Sequence, residues 1–393
     1  MCYPGSHARW TAAVAAVLVF AGGARALAEP APAEPAEVSP VEIHAFASQG
    51  FILTTGNDYI APDTKHGSFQ LSEVGINFTK EVADRLRFGV QAFAQNLGAG
   101  GNFNLKADWF YLDYQFRSWL GFRAGRLKIP FGFYNDVNDI DSARAPILLP
   151  QSVYPLQGRN FLFAQTGLEL YGFARSRLAG ALDYRLFLGT IFIDPAILIP
   201  AGSTVQLQVN VRYVGGGRVF WETPLEGLRV GASVLAVHMD VAAFASGMRF
   251  PITNQSLLAV GSAEYVIRRL IMSAEYSRWH TNQESPLPTS NLSGTSERSY
   301  AMVSYRATSW LQPSAYYALH FPNVDMRDAG PASRQHDIAL SLRFDVTAHW
   351  IVKAEGHYMD GTAGLGAPLS ITPLPTNPAQ HWGVFLLKTT GYF

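Results

Sequence analysis

The chain is poor in the residues that staple or solvate an ordinary globular protein. Cys2 is the only cysteine among 393 residues, so no internal disulfide framework can form. Asp, Glu, Lys and Arg make up only 15% of the chain, well below the roughly 25% usual in soluble domains. Basic and acidic residues balance at 30 each, which removes the electrostatic footprint of a nucleic-acid binder. Long apolar runs are scarce as well. Past residue 28 the best candidate, LAGALDYRLFLGTIFIDPAILIP, is broken by Asp183, Arg185 and Asp194, short of the roughly 18 apolar residues a spanning helix needs. Hydrophobic residues nonetheless reach 48% and aromatics 13%, too many for a disordered chain. A low charge content with ample apolar surface asks for surroundings that replace water.

The N-terminus supplies a location. Arg9 precedes WTAAVAAVLVFA, and Ala26-Leu27-Ala28 gives a small-x-small cleavage pattern before Glu29, so residues 1–28 read as a secretory signal peptide. Cys2 would leave with it, and losing Arg9 and Arg25 leaves 28 basic against 30 acidic residues, a net charge of about −2. Residues 29–41 are Pro/Ala-rich and read as a disordered leader, which places the folded part at 42–393.

That folded part repeats a period of two. In DIALSLRFDV, Ile338, Leu340, Leu342, Phe344 and Val346 alternate with Asp337, Ser341, Arg343 and Asp345. TVQLQVNVRY does the same, with Val205, Leu207, Val209 and Val211 set against Gln206, Gln208, Asn210 and Arg212. About sixteen such runs fit, from 42–53 to 381–390, including 161–173, 228–239 and 256–266. Short links such as RSW at 117–119, Arg268-Arg269 and PLEG at 224–227 alternate with longer ones near 54–68, 240–255, 281–296 and 360–380. Tight turns on one side and long loops on the other mark hairpins that cross a membrane. Strands survive in lipid only in a closed barrel, where every backbone group is paired. The expected fold is therefore all-β, a transmembrane antiparallel β-barrel of about sixteen strands, wide enough for an aqueous channel. Trp109, Tyr111, Tyr114, Trp119, Trp221, Trp279, Trp310, Tyr316, Tyr317, Trp350 and Trp382 fall near strand ends, as interfacial girdles would.

One stretch breaks the rhythm. Residues 129–160 carry Pro130, Pro146, Pro150 and Pro155, which forbid a continuous ladder. They also carry enough Ile, Leu, Phe and Tyr to need burial, and the barrel interior is the place available. This third long connection is thus expected to fold inward. RAGRLKIPFGFYN, the separated Arg144 and Pro146, and LPQSVY at 149–154 resemble an outer-membrane porin family related to the phosphate-selective porins, with weaker support from SQGF at 48–51 and TPLEGLRVGAS at 223–233. The terminal Phe393 resembles the assembly signal of bacterial barrels.

The resemblance implies a passive, trimeric channel whose inward loop sets selectivity. Phosphate-selective members are rich in lumen Arg and Lys, whereas this loop also holds Asp136, Asp139 and Asp141. Arg123, Arg126, Lys128, Arg144 and Arg159 are expected at the constriction, opposing those aspartates in a transverse field, and Arg144 and Arg159 can also pin the loop by pairing with Asp139, Asp141 or Glu169; a bulge at Gly125 would flip the parity, which leaves the facing of residues 125–128 open. With apolar faces outward, the lumen receives Arg87, Arg185, Arg212, Arg229, Arg298, Arg306, Arg343 and Lys353 against Glu73, Glu169, Asp183, Glu264, Glu275, Asp337, Asp345 and Glu355. Partners are then outer-membrane lipids, small hydrophilic solutes or inorganic ions, and no nucleic acid.

Other chemistry is weaker. The acidic run NDVNDID lacks the glycine and terminal glutamate of a calcium loop. The ten histidines show no HExxH spacing, and Gly215-Gly216-Gly217 lacks the lysine of a phosphate loop, so no metal or cofactor is expected. A lipase-like barrel would need a Ser–His pair, and a surface adhesin or receptor would use its outer loops; no catalytic residue stands out.

Overall fold

The computed structural model describes residues 40–97, 101–193, 206–245, 248–285, 291–365 and 378–393. The signal peptide and nearly all of the leader expected at 29–41 lie outside them. Ser39–Phe393 forms one compact unit. Its strands are β1 Glu42–Thr54, β2 Ser72–Ala83, β3 Leu86–Asn96, β4 Lys106–Arg117, β5 Leu120–Lys128, β6 Ala164–Ser176, β7 Gly180–Thr190 and β8 Gln206–Glu222. They continue as β9 Leu228–Ala245, β10 Met248–Ile267, β11 Leu270–Glu284, β12 Leu292–Tyr305, β13 Leu311–Phe321, β14 Gln335–Thr347, β15 Trp350–Gly361 and β16 His381–Tyr392. Each pairs antiparallel with its sequence neighbours, and β1 pairs with β16 from Phe46–Tyr392 to Thr54–Val384, closing a sixteen-stranded barrel. Closure leaves no strand edge, the condition for strands in lipid.

The pleat sorts the side chains. On β14, Ile338, Leu340 and Leu342 are exposed on the outside, while Asp337, Ser341 and Arg343 are buried on the inside. At the rim of the short turns Tyr114, Trp119, Trp221, Trp310 and Trp350 stand exposed, as an aromatic girdle does. Trp279, Tyr316 and Trp382, expected in such a girdle, are instead buried on the inner face, because the interior is filled and offers them packing.

Two expected long connections are strand. β9 runs to Ala245 and β10 starts at Met248, so 240–255 is mostly paired ladder; β11 and β12 likewise extend through much of 281–296. β10 has 20 residues against 9 in β5, so the wall rises far higher on one side of the ring. On the high wall the alternation inverts. A register shift between Val211 and Tyr213 breaks the parity of β8. Leu207, Val209 and Val211 pack against the internal core, while Arg212, expected in the lumen, points outward and pairs with Asp240 at 2.5 Å. The physical reason is position: at the long-loop end of the wall the apolar contacts lie inside.

Candidate functional site: the segment that crosses the lumen

β5 ends at Lys128, and Pro130, which has no N–H to offer, stops the ladder. Gly132 makes the inward turn at φ +55°, and a Cβ there would lie 2.1 Å from the Tyr154 hydroxyl. The segment then folds through single 3-10 turns at Asn135–Val137, Asp141–Ala143 and Leu156–Gly158 and a short helix at Arg159–Leu162. It ends at Phe163, so the strand expected at 161–173 begins three residues later. The Asn135 side-chain amide donates to Ile129 O at 2.7 Å and Leu162 O at 3.1 Å, clipping the two ends of the segment together.

Its apolar side chains divide between two walls: Ile147 and Leu148 pack with Ile52 of β1, Met359 of β15 and Trp382, Val384 and Leu386 of β16, and most of the others pack on the opposite side. Ile129, Phe131, Leu149, Val153, Tyr154, Phe161 and Leu162 join a buried cluster with inward residues of β7 to β14, among them Phe187, Leu235, Met239, Val260, Trp279 and Met302. Each fully buried side chain of this size contributes about 1.5–3 kcal/mol.

Polar contacts tie it to ten strands besides β5. Gln91 of β3 donates to Asp139 at 2.8 Å, and Arg159 forms a two-bond fork with Asp108 of β4 at 2.9 and 2.6 Å. Asp136 bridges Arg185 of β7 and Arg218 of β8 at 2.8 and 2.6 Å. Gly132 N–H donates to Ser233 of β9, and Phe133 N–H to Glu275 of β11, whose other oxygen accepts the Tyr154 hydroxyl. Ser152 donates to Ser299 O of β12. Arg343 of β14 donates to the carbonyls of Ser142 and Arg144, and Glu355 of β15 accepts from Ile147 and Leu148 N–H at 2.6 and 2.9 Å. Asp141 accepts from Thr390 of β16 at 2.7 Å. A segment bonded to strands on opposite sides of a closed ring crosses its interior.

The expected constriction residues separate into groups. Lys128 meets Asp139 at 2.7 Å, and Arg144 meets Asp141 at 3.4 Å. Arg159 pins the segment through Asp108, which sequence reasoning missed, and its guanidinium stacks on Phe93 and Phe163 at 4.1 and 4.2 Å. Arg123 lies toward the short turns, between Asp113 and Glu169 at 2.9 and 3.1 Å. Arg126 does not face the lumen. β4 and β5 pair without a shift at Gly125, so Arg126 stands opposite the outward Phe110. Its Nε donates to Asp108 O.

Charges along the wall are largely self-neutralised. Direct cross-strand neighbours alternate in sign from Glu81 through Arg87, Asp113 and Arg123 to Glu169. Arg229 pairs with Glu264 at 2.8 Å and Arg306 with Asp345 at 2.9 Å. Arg298 is buried and donates to Ser296 and to Ser152 O. Three cations, Arg343, Lys353 and Lys388, stand in an adjacent row; Lys388 pairs with Glu73 of β2 at 2.8 Å and Arg343 with Asp345 at 2.7 Å, which leaves Lys353 to the crossing segment. The crossing segment caps it: Lys353 Nζ reaches the carbonyls of Asp141, Arg144 and Pro146 and, at 3.0 Å, the Asp141 carboxylate. Burial raises the Asp141 carboxyl, but Lys353, Lys388 and Arg144 outweigh it and hold it well below the usual carboxylate range. Asp136 is held low in the same way, with Arg185 and Arg218 opposing burial.

Gln91, Asp108, Arg218 and Lys388 were not singled out from the sequence. Lys388 carries a signal, being the one charge in FLLKTT, but its register with Lys353 is a matter of three dimensions. His357, buried on the inner face, gives both ring nitrogens to carboxylates, Asp337 and Glu355, each at 2.9 Å. Nearby Ser341 donates to Glu355 instead of to the imidazole, so no Ser–His pair forms there. Toward the short turns the lumen widens to a cavity of about 460 Å³ lined by Glu42, Arg87, Asp113, Arg123 and Tyr171 among others.

This geometry defines a closed β-barrel of the outer-membrane kind. No family model and no curated protein matches the sequence. Among solved structures the chain is similar to the outer-membrane OmpT of Vibrio cholerae, with a TM-score of 0.56 and 11% identity over 92% of this chain and 99% of that one. It is also similar to the outer-membrane channel DcaP of Acinetobacter baumannii, with a TM-score of 0.55 and 12% identity over 91% of this chain and 99% of that one. A third likeness is to an anion-selective porin from Comamonas acidovorans, with a TM-score of 0.52 and 11% identity over 90% of this chain and 100% of that one. At such identities the fold is what is shared.

Proposed function

We propose that the protein is an outer-membrane porin, a non-enzymatic water-filled channel for passive diffusion of small hydrophilic solutes or ions, narrowed by residues 129–163. The observation that carries this reading is the crossing segment itself. It is fixed to strands all round the ring by buried charge-assisted bonds, which are stronger than neutral ones and hold a chain in one place. A barrel built only as an adhesive surface has no use for an interior so organised. Residues 129–163 set the passage, with Lys128, Asp136, Asp139, Asp141, Arg144 and Arg159 holding the segment rather than presenting a free transverse field. Because Asp141 and backbone carbonyls cap Lys353, while Glu73 holds Lys388 and Asp345 holds Arg343, the basic row is not open to phosphate, and the phosphate-selective reading is disfavoured. Near-balanced lumen charge supports weak ion preference. A homotrimer fits, since one of the similar solved structures is described as a trimer form. Export by the signal peptide at residues 1–28 completes the reading.

The test is single-channel current from the refolded barrel in a planar bilayer. Steady, step-like, ohmic openings are expected, and deleting residues 135–145 is expected to enlarge them. A folded, inserted barrel without current sinks the porin reading and favours a surface receptor or a lipid-acting enzyme. An unchanged step size in a folded deletion variant rejects the narrowing role.

A further inference from the structure

Above the crossing segment, on the side of the long connections, a second cavity opens into the wall. It has a volume of about 40 Å³ and is lined by Tyr59, Ile60, Gln151, Ser152, Pro155, Arg298, Ala318, His320, Gln335, Asp337, Met359, Ala363 and Gly364. The space exists because Ala318 is small: in the barrel register it sits between Tyr300 and Asp337, where a larger side chain would fill the gap. Arg298, His320 and Gln335 stand side by side on β12, β13 and β14. The guanidinium of Arg298 lies over the Trp279 ring, 5.4 Å from its centre, and donates from Nε to Ser296 and from Nη1 to Ser152 O at 3.4 Å. His320 Nε2 is buried and has no hydrogen-bond partner. A buried orphan of this kind asks for a ligand or a water. With its proton on Nε2, the imidazole donates into the recess beside the guanidinium.

Asp337 also lines the recess, but it is turned away from it in its bonding. One oxygen accepts from His357 at 2.9 Å and the other from the Tyr316 hydroxyl at 3.2 Å. Tyr59, Gln151, Ser152 and Gln335 add polar groups to the lining, and Ile60, Pro155, Met359 and Ala363 make its apolar part.

We infer that this recess is a recognition subsite for a small organic monocarboxylate, its head on Arg298 and His320 and its short apolar tail against Ile60, Pro155 and Ala363. The chemistry follows from the lining. Two donors, one of them permanently charged, fit an anionic oxygen pair, and about 40 Å³ holds a carboxylate or a few waters. The apolar part of the lining, Ile60, Pro155, Met359 and Ala363, gives an aliphatic tail a place out of water that a bare inorganic anion cannot use. The inference rests on the porin reading, because the recess would load solute at the outer mouth before it passes the crossing segment.

Butyrate, butyramide and inorganic phosphate added in turn to a single channel carrying chloride current decide the matter. Interruptions are counted against each variant's own open current. Butyrate is expected to interrupt the current, with butyramide and phosphate at least about tenfold weaker, the loss expected for one charge-assisted hydrogen bond. Arg298→Gln should weaken the butyrate effect by about tenfold or more. Ala318→Val, which fills the recess and leaves every charge in place, should weaken it as well, and covers the case in which the arginine variant fails to fold. Equal interruption by phosphate overturns the organic-carboxylate assignment, and full butyrate sensitivity in Ala318→Val overturns the recess as its site. Current that ignores butyrate removes the subsite and leaves the porin reading standing. With no current at all that reading falls, and calorimetric titration of butyrate onto the folded barrel, wild type against Ala318→Val, still decides the recess.

Discussion

Replacing Asp141 by alanine asks the crossing segment to stay in place without its central charge. The carboxylate lies 3.0 Å from Lys353, 3.6 Å from Lys388 and 3.4 Å from Arg144, and accepts from Thr390 at 2.7 Å. Lys353 and Lys388 are direct cross-strand neighbours, and Arg343 stands on the other side of Lys353. Two unit charges about 5 Å apart repel by about 3 kcal/mol at an effective dielectric constant of about 20. Breaking a buried pair by removing one partner costs about 3–5 kcal/mol. What would still hold residues 141–146 to β14 and β15 is a set of bonds to backbone carbonyls, each worth about 0.5–1.5 kcal/mol net, or somewhat more where the donor is charged.

The two sides are close enough that this part of the segment should peel away, while Asp136 and Glu275 keep the first turn anchored. In planar bilayers, Asp141→Ala is expected to show a larger single-channel step. Its reversal potential in a salt gradient should move toward anion preference, because Lys353 loses its carboxylate partner and faces the solution, while Lys388 keeps Glu73 and Arg343 keeps Asp345. Asp141→Asn keeps the Thr390 bond and loses the charge, so it should fall between the two. Wild-type conductance together with a wild-type reversal potential in a folded Asp141→Ala barrel would refute the capping argument.

Three further outcomes follow from the same contacts. Arg159→Ala leaves the buried Asp108 carboxylate without its two-bond partner and strips the cation from between Phe93 and Phe163; a loss of about 3–5 kcal/mol is expected, read as a lower heat-unfolding temperature on gels that separate folded from unfolded barrel. Because the Asp136 and Asp141 carboxyls are depressed in the folded state, their stabilisation is complete above the ordinary carboxylate pKa of about 4 and is lost only as pH falls through the lower folded values. Docking by these two groups should therefore hold from neutrality down to about pH 4, with larger or noisier steps appearing only in stronger acid; steps that enlarge already near pH 6 would assign the control to other groups. Leu340→Arg puts a cation on the outer apolar face, where the cost is about 2–4 kcal/mol at mid-membrane, and should lower folding yield into vesicles without changing the step size of those barrels that fold.

Much of the barrel was legible because period-two alternation and turn spacing are local properties. Strand number, the pairing of consecutive hairpins and the inward need of residues 129–160 all follow from patterns within a few residues of one another. What could not be read was partner choice. Arg159 was expected to pair with Asp139, Asp141 or Glu169 and meets Asp108 instead, because the two come together only when the segment returns to the wall. The facing of Arg126 could not be read because a glycine at position 125 is compatible with either parity, and the register that decides it involves Phe110 on another strand. The cation row of Arg343, Lys353 and Lys388 spans three strands and is invisible to any window along the chain.

The inverted alternation on β8 carries a more general consequence. Reading apolar residues as outward assumes that lipid is the only apolar surrounding, which holds across the membrane but not at the long-loop end of the wall. There the barrel contains a folded segment with its own hydrophobic residues, and Leu207, Val209 and Val211 turn toward it while Arg212 and Asp240 pair outside. The register shift between Val211 and Tyr213 is the device that lets one strand satisfy both environments, since one extra residue exchanges the two faces. The high wall and the buried segment are thus two halves of one requirement. A segment with this much apolar surface needs a partner wall beyond the membrane, and β8 to β12 are long enough to provide it.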